Sequence, residues 1–355
     1  MIALCSGVPQ SVLLCGYYGE HNLGDDALLQ AVLGELPEAW TPVVTAFDQD
    51  QVRQLHGVET VQRRDLKAVL SCLRACDALV LGGGSLLQDS TSFKSLIYYA
   101  SLMTAARFQG KAVVLWAQGL GPLQRKRTRA LVRLLLQMTT AVSWRDPESA
   151  TLARRLGCDG EHAADAVWML PQQQWLGRGG PIVVCWRPTP LLQGSDWSPY
   201  LQALDQLSAE ADREVLWLPF HRNQDADLLE QFRREGLMPA SLSTRSRQLS
   251  ASHPREAMAV FRSSGLVLAM RLHALILAAL SGAPVSALSY DPKVQACADQ
   301  LQSEALDLRQ RGRTAEECLT LWRSSLDGPP ASRVIASIRS TVELHRRILR
   351  AALCR

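Results

Sequence analysis

Arg271-Leu272-His273 stands where one apolar run, Leu266 to Met270, gives way to a second, Ala274 to Leu280. The first run reads as a strand covered on both faces. The second is apolar nearly all round and stops at Gly282 and Pro284, the pattern of a buried helix. Arg271 and His273 are thereby expected at a helix N-terminus, where positive charge is disfavoured. An anionic ligand would relieve that conflict, and the same setting would keep His273 neutral and able to take a proton. The plainer alternative for His273 is a packed, hydrogen-bonded side chain at an element boundary.

Four other segments place polar or glycine residues directly after apolar runs. Gly16-Tyr17-Tyr18-Gly19-Glu20-His21-Asn22-Leu23-Gly24-Asp25-Asp26 leads into a helix expected from about Asp25 to Leu36. Its glycines would let backbone N–H groups approach an anion at the helix start, making Asn22, Gly24, Asp25 and Asp26 candidates for a ligand wall. Its spacing matches neither G-x-G-x-x-G nor a phosphate-binding G-K-[ST] loop, and Asp25 and Asp26 equally suit helix N-caps. Gly82-Gly83-Gly84, followed by Asp89, implies either positive φ in a tight turn or close passage of a substrate at Gly83 and Gly84. Arg145, in Ser143-Trp144-Arg145-Asp146, suits bidentate binding of phosphate or carboxylate, or an ion pair with Asp146 or Glu148. Lys293, in Tyr290-Asp291-Pro292-Lys293, follows the next strand and reaches the same mouth unless it is an ordinary surface lysine.

The elements that must hold these residues alternate along the whole chain. Val12 to Cys15, Val43 to Ala46, Ala78 to Leu81, Ala112 to Ala117 and Ala141 to Trp144 read as buried parallel strands separated by helical stretches. A Pro-, Gly- and Gln-rich break at Pro171 to Pro181 precedes a second series: Ile182 to Trp186, Val215 to Leu218, Leu266 to Met270 and Val285 to Leu288. The 355 residues accordingly divide into an N-terminal Rossmann-like domain over 1–172 and a C-terminal one over 180–330. A terminal amphipathic helix over 331–355, with Ile335, Ile338, Val342 and Leu349 on one face, is expected to pack against the body of the protein. Ligands of such folds bind at the C-terminal ends of the strands, where the segments above fall.

Composition narrows the class. A net charge of +4 is mild and does not argue for nucleic acid, whose binders usually carry a concentrated basic face; no nucleic-acid partner is expected. The nine cysteines show no zinc spacing, and no metal is expected; several lie in apolar runs, as reduced thiols of a cytoplasmic protein would. No signal-like or membrane-spanning run is present in the sequence. Gln124-Arg-Lys-Arg-Thr-Arg129 starts a helix whose basic face is solvated or, as a second expectation, attaches the protein peripherally to the inner face of the plasma membrane.

Taken together, the Gly16-Tyr17-Tyr18-Gly19 loop running into Asn22-Leu23-Gly24-Asp25-Asp26-Ala27, the Gly82-Gly83-Gly84 turn with Asp89, Trp144-Arg145-Asp146, Arg271-Leu272-His273-Ala274 and Tyr290-Asp291-Pro292-Lys293 resemble the polysaccharide pyruvyl transferase family, in particular its bacterial CsaB-type branch. The pieces span most of the chain in the family's order. The resemblance implies a GT-B-like fold, two doubly wound α/β domains facing across a cleft, with the terminal helix over 331–355 packing back on the N-terminal domain and no cofactor. Phosphoenolpyruvate is the implied donor, and a glycan diol, commonly lipid-linked and destined for the cell wall, the implied acceptor. It assigns donor binding to Arg145, Arg271, His273 and Lys293, with no departure at those positions. On this reading His273 is the general base, Arg145, Arg271 and Lys293 hold the donor, and the acid that protonates its carbon is unassigned between Asp25 and Asp26. A nucleotide-sugar glycosyltransferase or epimerase is the alternative on the same architecture, and a catalytically silent glycan-binding protein a third. The second domain shows no obvious ribose-binding carboxylate, which favours the smaller dianionic donor.

Overall fold

The structure, a computed structural model, describes residues 10–89 and 93–354. Thirteen strands are described, and all of their pairings are parallel. The first sheet contains β1 (Gln10–Tyr18), β2 (Trp40–Ala46), β3 (Glu59–Gln62), β4 (Ala78–Gly82), β5 (Ala112–Gln118), β6 (Ala141–Trp144) and β7 (Glu161–His162). Their order is β3-β2-β1-β4-β5-β6-β7. The second sheet contains β8 (Ile182–Cys185), β9 (Val215–Trp217), β10 (Ser246–Gln248), β11 (Leu266–Ala269), β12 (Val285–Ser289) and β13 (Ala305–Asp307), in the order β10-β9-β8-β11-β12-β13. Both are doubly wound sheets whose order reverses at a central pair, β1/β4 in one and β8/β11 in the other. Crevices for ligands open outside the C-terminal ends of such pairs.

The central strands form because helices cover both faces. Val12, Leu13, Leu14 and Cys15 of β1 and Leu266 to Ala269 of β11 are fully buried, so an uninterrupted apolar run is the stable choice there. The polar edge strands β3, β7 and β10 escape the apolar-run pattern, as does the short β13.

Among the described residues one compact unit comprises residues 10–20, Asp25–Met169 and residues 339–354; the other comprises His21–Gly24 and Leu170–Ile338. The second unit thus includes four residues that follow β1: His21 and Asn22 of the loop, and Leu23 and Gly24, which open the first helix. The terminal amphipathic segment is two helices, Ser332–Thr341 and Glu343–Leu353, rather than one, with the break at Val342. The latter is anchored in the first unit: buried His345 Nε2 lies 2.8 Å from the Ala164 carbonyl, and Trp116 Nε1 donates to the His345 carbonyl at 3.0 Å. Among the described residues seven cysteines are free thiols and Cys354 is disulfide-bonded, unlike the expected wholly reduced set. Among the described residues no helix is long and apolar enough to cross a membrane.

Candidate functional site

In the first unit, Gly83 and Gly84 take positive φ of 67° and 77° immediately after β4. The protein itself also requires glycine here. A Cβ at Gly82 would stand 2.8 Å from the Tyr18 hydroxyl, and one at Gly83 would stand 2.7 Å from Leu28. Tyr18 donates to the Gly82 carbonyl at 2.6 Å, and Gln118 Nε2 donates to the Gly83 carbonyl at 2.7 Å. Asp89 accepts from the backbone N–H groups of Gln124 and Arg125, which hold its carboxyl below the usual range.

Arg145 lies beyond β6 with its side chain 8% exposed. Its ion pair is not with Glu148: Nη1 donates to Asp165 at 3.2 Å, Nη2 to Ser85 Oγ at 3.0 Å, and Nε is 3.7 Å from Asp146. Asp146 also caps the following helix, Pro147–Arg155. A Cβ at Gly119 would collide with Ser85 Oγ and approach Arg145 Nε to 2.8 Å, so Gly119 makes the room in which this guanidinium lies.

Asp25 and Asp26 are not N-caps. The helix runs Leu23–Glu35 and starts two residues earlier than the sequence suggests, because Asn22 Oδ1 accepts from the Gly24 N–H and does the capping. Both aspartates therefore fall in the first turn. Asp26 is 3% exposed, and its Oδ2 accepts no hydrogen bond from the described residues. Burial, then the charge of Asp25, raise its pKa to about 8 against the opposing Gly19 N–H, so Asp26 carries a proton near neutrality.

In the second unit, Arg271 is the N-cap residue of the helix Leu272–Leu280, whose residues from Ala274 onward are buried throughout. The expected conflict between Arg271 and the helix N-terminus is resolved inside the protein. Asp225, its side chain wholly buried, accepts from Arg271 Nε at 3.1 Å and Nη2 at 2.5 Å, and Nη2 also donates to Gln224 at 3.0 Å. The counter-charge that the sequence reading assigned to a ligand is thus supplied in large part by Asp225, and Arg271 Nη1 is left over among the described residues. Asp225 also accepts the N–H groups of Phe220 and His221, fixing the turn beyond β9.

That turn holds the segment from the loop after β1. Asn22 pairs with His221 in an antiparallel bridge, Leu23 N–H donates to the Phe220 carbonyl, and Arg222 N–H donates to the His21 carbonyl, both at 3.0 Å. Gly24 arrives against the imidazole of His273: a Cβ there would collide with Nδ1 and stand 2.9 Å from Cγ. The Asn22-x-Gly24 motif, expected to line a ligand wall, therefore sets the position of the candidate base. Lys293 follows β12, the neighbour of β11, on the helix Pro292–Leu301 capped by Asp291. A separate cavity of about 450 Å³, lined by Leu192, Gln193, Tyr200, Leu308, Arg311 and Arg313 among others, includes none of the residues predicted from sequence.

A family model, polysaccharide pyruvyl transferase, matches residues 22–292, from the Asn22 that caps the first helix to the Pro292 beside Lys293. The chain belongs to the polysaccharide pyruvyl transferase family. As a family member it is a transferase of polysaccharide biosynthesis, and its solved neighbours share its fold at low identity. A UDP-GlcNAc 2-epimerase from Methanocaldococcus jannaschii superposes with a TM-score of 0.64 at 9% identity, over 95% of this chain and 99% of that one. A protein described as a UDP-N-acetylglucosamine 2-epimerase from Listeria monocytogenes gives 0.62 at 14% identity, over 96% and 95%. A UDP-glucosyltransferase from Polygonum tinctorium gives 0.56 at 13% identity, over 98% and 95%. The chain thus has a GT-B-like fold built of two Rossmann-type units. No curated protein sequence matches it.

Residues that sequence reasoning missed are Asp225 and Asp165, the partners of Arg271 and Arg145, and Arg187 beyond β8. Arg187 had the same signal as Arg145, a cation directly after an apolar strand. The two aspartates had none, because their role exists only once the chain has folded.

Proposed function

We propose that the protein transfers the three-carbon unit of phosphoenolpyruvate to two hydroxyls of a glycan sugar, forming a pyruvate ketal and releasing phosphate. C3 of the enol gains a proton, C2 forms bonds to two hydroxyl oxygens, and the C2–O bond to phosphate breaks. Of the two hydroxyl protons, one replaces the proton given to C3 and the other leaves with phosphate. The family match supports the reaction class. The single structural observation that carries the assignment of roles is the seating of His273 against Gly24, at the end of β11, where the second sheet reverses.

In this reading His273 takes the hydroxyl proton. Arg271 Nη1 and Lys293 hold the donor's anionic groups, and Arg145 is given the same role on the family motif alone. Asp26, a buried carboxyl that stays protonated to about pH 8, suits the carbon acid. The CsaB-type branch, a lipid-linked cell-wall acceptor and attachment at the inner face of the plasma membrane belong to the same proposal. So does the absence of any cofactor.

The test mixes the purified protein with phosphoenolpyruvate and a panel of glycans, following phosphate release and a pyruvate-sized mass gain. His273→Ala is expected to abolish both while leaving circular dichroism unchanged. Near-normal phosphate release by that variant removes the role assigned to His273. Product formation that requires a nucleotide sugar instead of phosphoenolpyruvate replaces the whole reading with a glycosyltransferase or epimerase.

A further inference from the structure

We propose that Arg187, two residues beyond β8, is a phosphate-binding residue of the second unit. β8 and β11 are the central pair at which this sheet reverses, and Arg187 leaves the C-terminal end of one as Arg271 and His273 leave the other. The Arg187 backbone N–H lies 3.5 Å from Met270 Sδ, which fixes it beside the residue preceding Arg271. Its guanidinium stacks over the Tyr290 ring at 5.1 Å from the centroid, and Nη1 donates to the Tyr290 hydroxyl at 3.2 Å. Nε donates to the Pro188 carbonyl at 3.2 Å. Among the described residues the Nη2 group and one Nη1 N–H have no partner, leaving a fork shaped for two oxygens of one phosphate.

Charge sets Arg187 apart from the other two arginines that follow strands. Arg271 is paired with Asp225, and Arg145 with Asp165. No carboxylate among the described residues pairs with the half-buried Arg187; its partners are a neutral phenol and a backbone carbonyl. Its full charge is therefore directed to a ligand, while the Tyr290 ring orients the guanidinium plane. Phosphate is the chemistry, and the source rests on the reading above: the leaving group of phosphoenolpyruvate.

Isothermal titration of the full chain with inorganic phosphate, phosphoenolpyruvate and pyruvate tests this apart from turnover. The wild type should bind the first two through Arg187. Arg187→Met should weaken both by about tenfold or more, the scale of a lost charge-assisted pair, with pyruvate unaffected. Arg187→Lys, which keeps the charge without the fork, should fall in between and guards against a folding defect in the methionine variant. Phosphate affinity unchanged in Arg187→Met, or fully retained in Arg187→Lys, overturns the proposal, as does a wild type that binds no phosphate. Arg187-dependent binding of inorganic phosphate without binding of phosphoenolpyruvate leaves the anion site standing and removes the donor reading instead.

Discussion

Replacing Asp26 by asparagine should flatten the protein's dependence of stability on pH in a defined window. Asp26 is nearly isosteric with asparagine, is 3% exposed, and has its pKa raised to about 8, mainly by burial and then by the charge of Asp25. In the unfolded chain the same carboxyl titrates at roughly pH 3.9. Between those values the folded state holds one proton more than the unfolded state. Stability therefore falls as pH rises, by about 1.4 kcal/mol for each pH unit. From about pH 5 to about pH 7.5 the wild type should lose on the order of 3 kcal/mol through this group alone. An asparagine side chain does not titrate, so Asp26→Asn should lack that slope and become the more stable protein above about pH 8. Urea unfolding of both proteins across the pH series measures it, since other titrating groups cancel in the difference. Parallel stability curves would show that Asp26 is ionised in the folded protein, and would also remove it as a proton donor to carbon.

Two further substitutions test how the second unit holds its candidate base. Asp225→Asn leaves the Arg271 guanidinium without its buried counter-charge and should cost about 3–5 kcal/mol in urea unfolding. Adding Arg271→Met should recover part of that loss, and a simply additive loss would show that the pair is not coupled. Gly24→Ala places a methyl group against the His273 ring and should lower kcat by about a hundredfold, the scale of an ångström-sized misplacement. Gly34→Ala, on the same helix with open space around it, should leave activity intact, and a Gly24→Ala kcat within twofold of wild type would refute the positioning role.

The fold was readable where burial is two-sided. β1, β4, β5, β8, β11 and β12 each present an apolar run because both faces are covered, and nine strands, β6 among them, follow from such runs. β3, β7, β10 and β13 did not show themselves, since a short strand with exposed or polar positions carries neither a continuous run nor enough length for alternation. The start of the first helix was misplaced for a different reason. Gly24 reads from sequence as part of the loop, a ligand-wall residue, yet Asn22 caps that residue's own N–H and the helix begins ahead of it.

Sequence position and electrostatic partnership are different kinds of information, and the candidate site separates them. Arg145, Arg187, Arg271 and Lys293 can each be found as a cation just after a strand, because the end of an apolar run is a local signal. What each cation has left to offer a ligand depends on carboxylates far along the chain: Asp165 is 20 residues from Arg145, and Asp225 is 46 from Arg271. A charge already shared with a buried aspartate is held rigidly and attracts a second anion less strongly than an unshared one. On the function proposed above, Arg145 and Arg271 would then be weaker grips on the donor that also fix geometry, of Ser85 in one unit and of the helix that carries His273 in the other. Arg187, which has no acid beside it among the described residues, would on the proposal made for it take the larger part in holding phosphate. The ranking can be measured as the ratio of KM to kcat effects: Arg187→Met should act mostly on the KM for phosphoenolpyruvate, and Arg271→Met mostly on kcat. The opposite pattern would mean that the Asp225 pair opens when the donor binds, and that Arg271 is the principal grip.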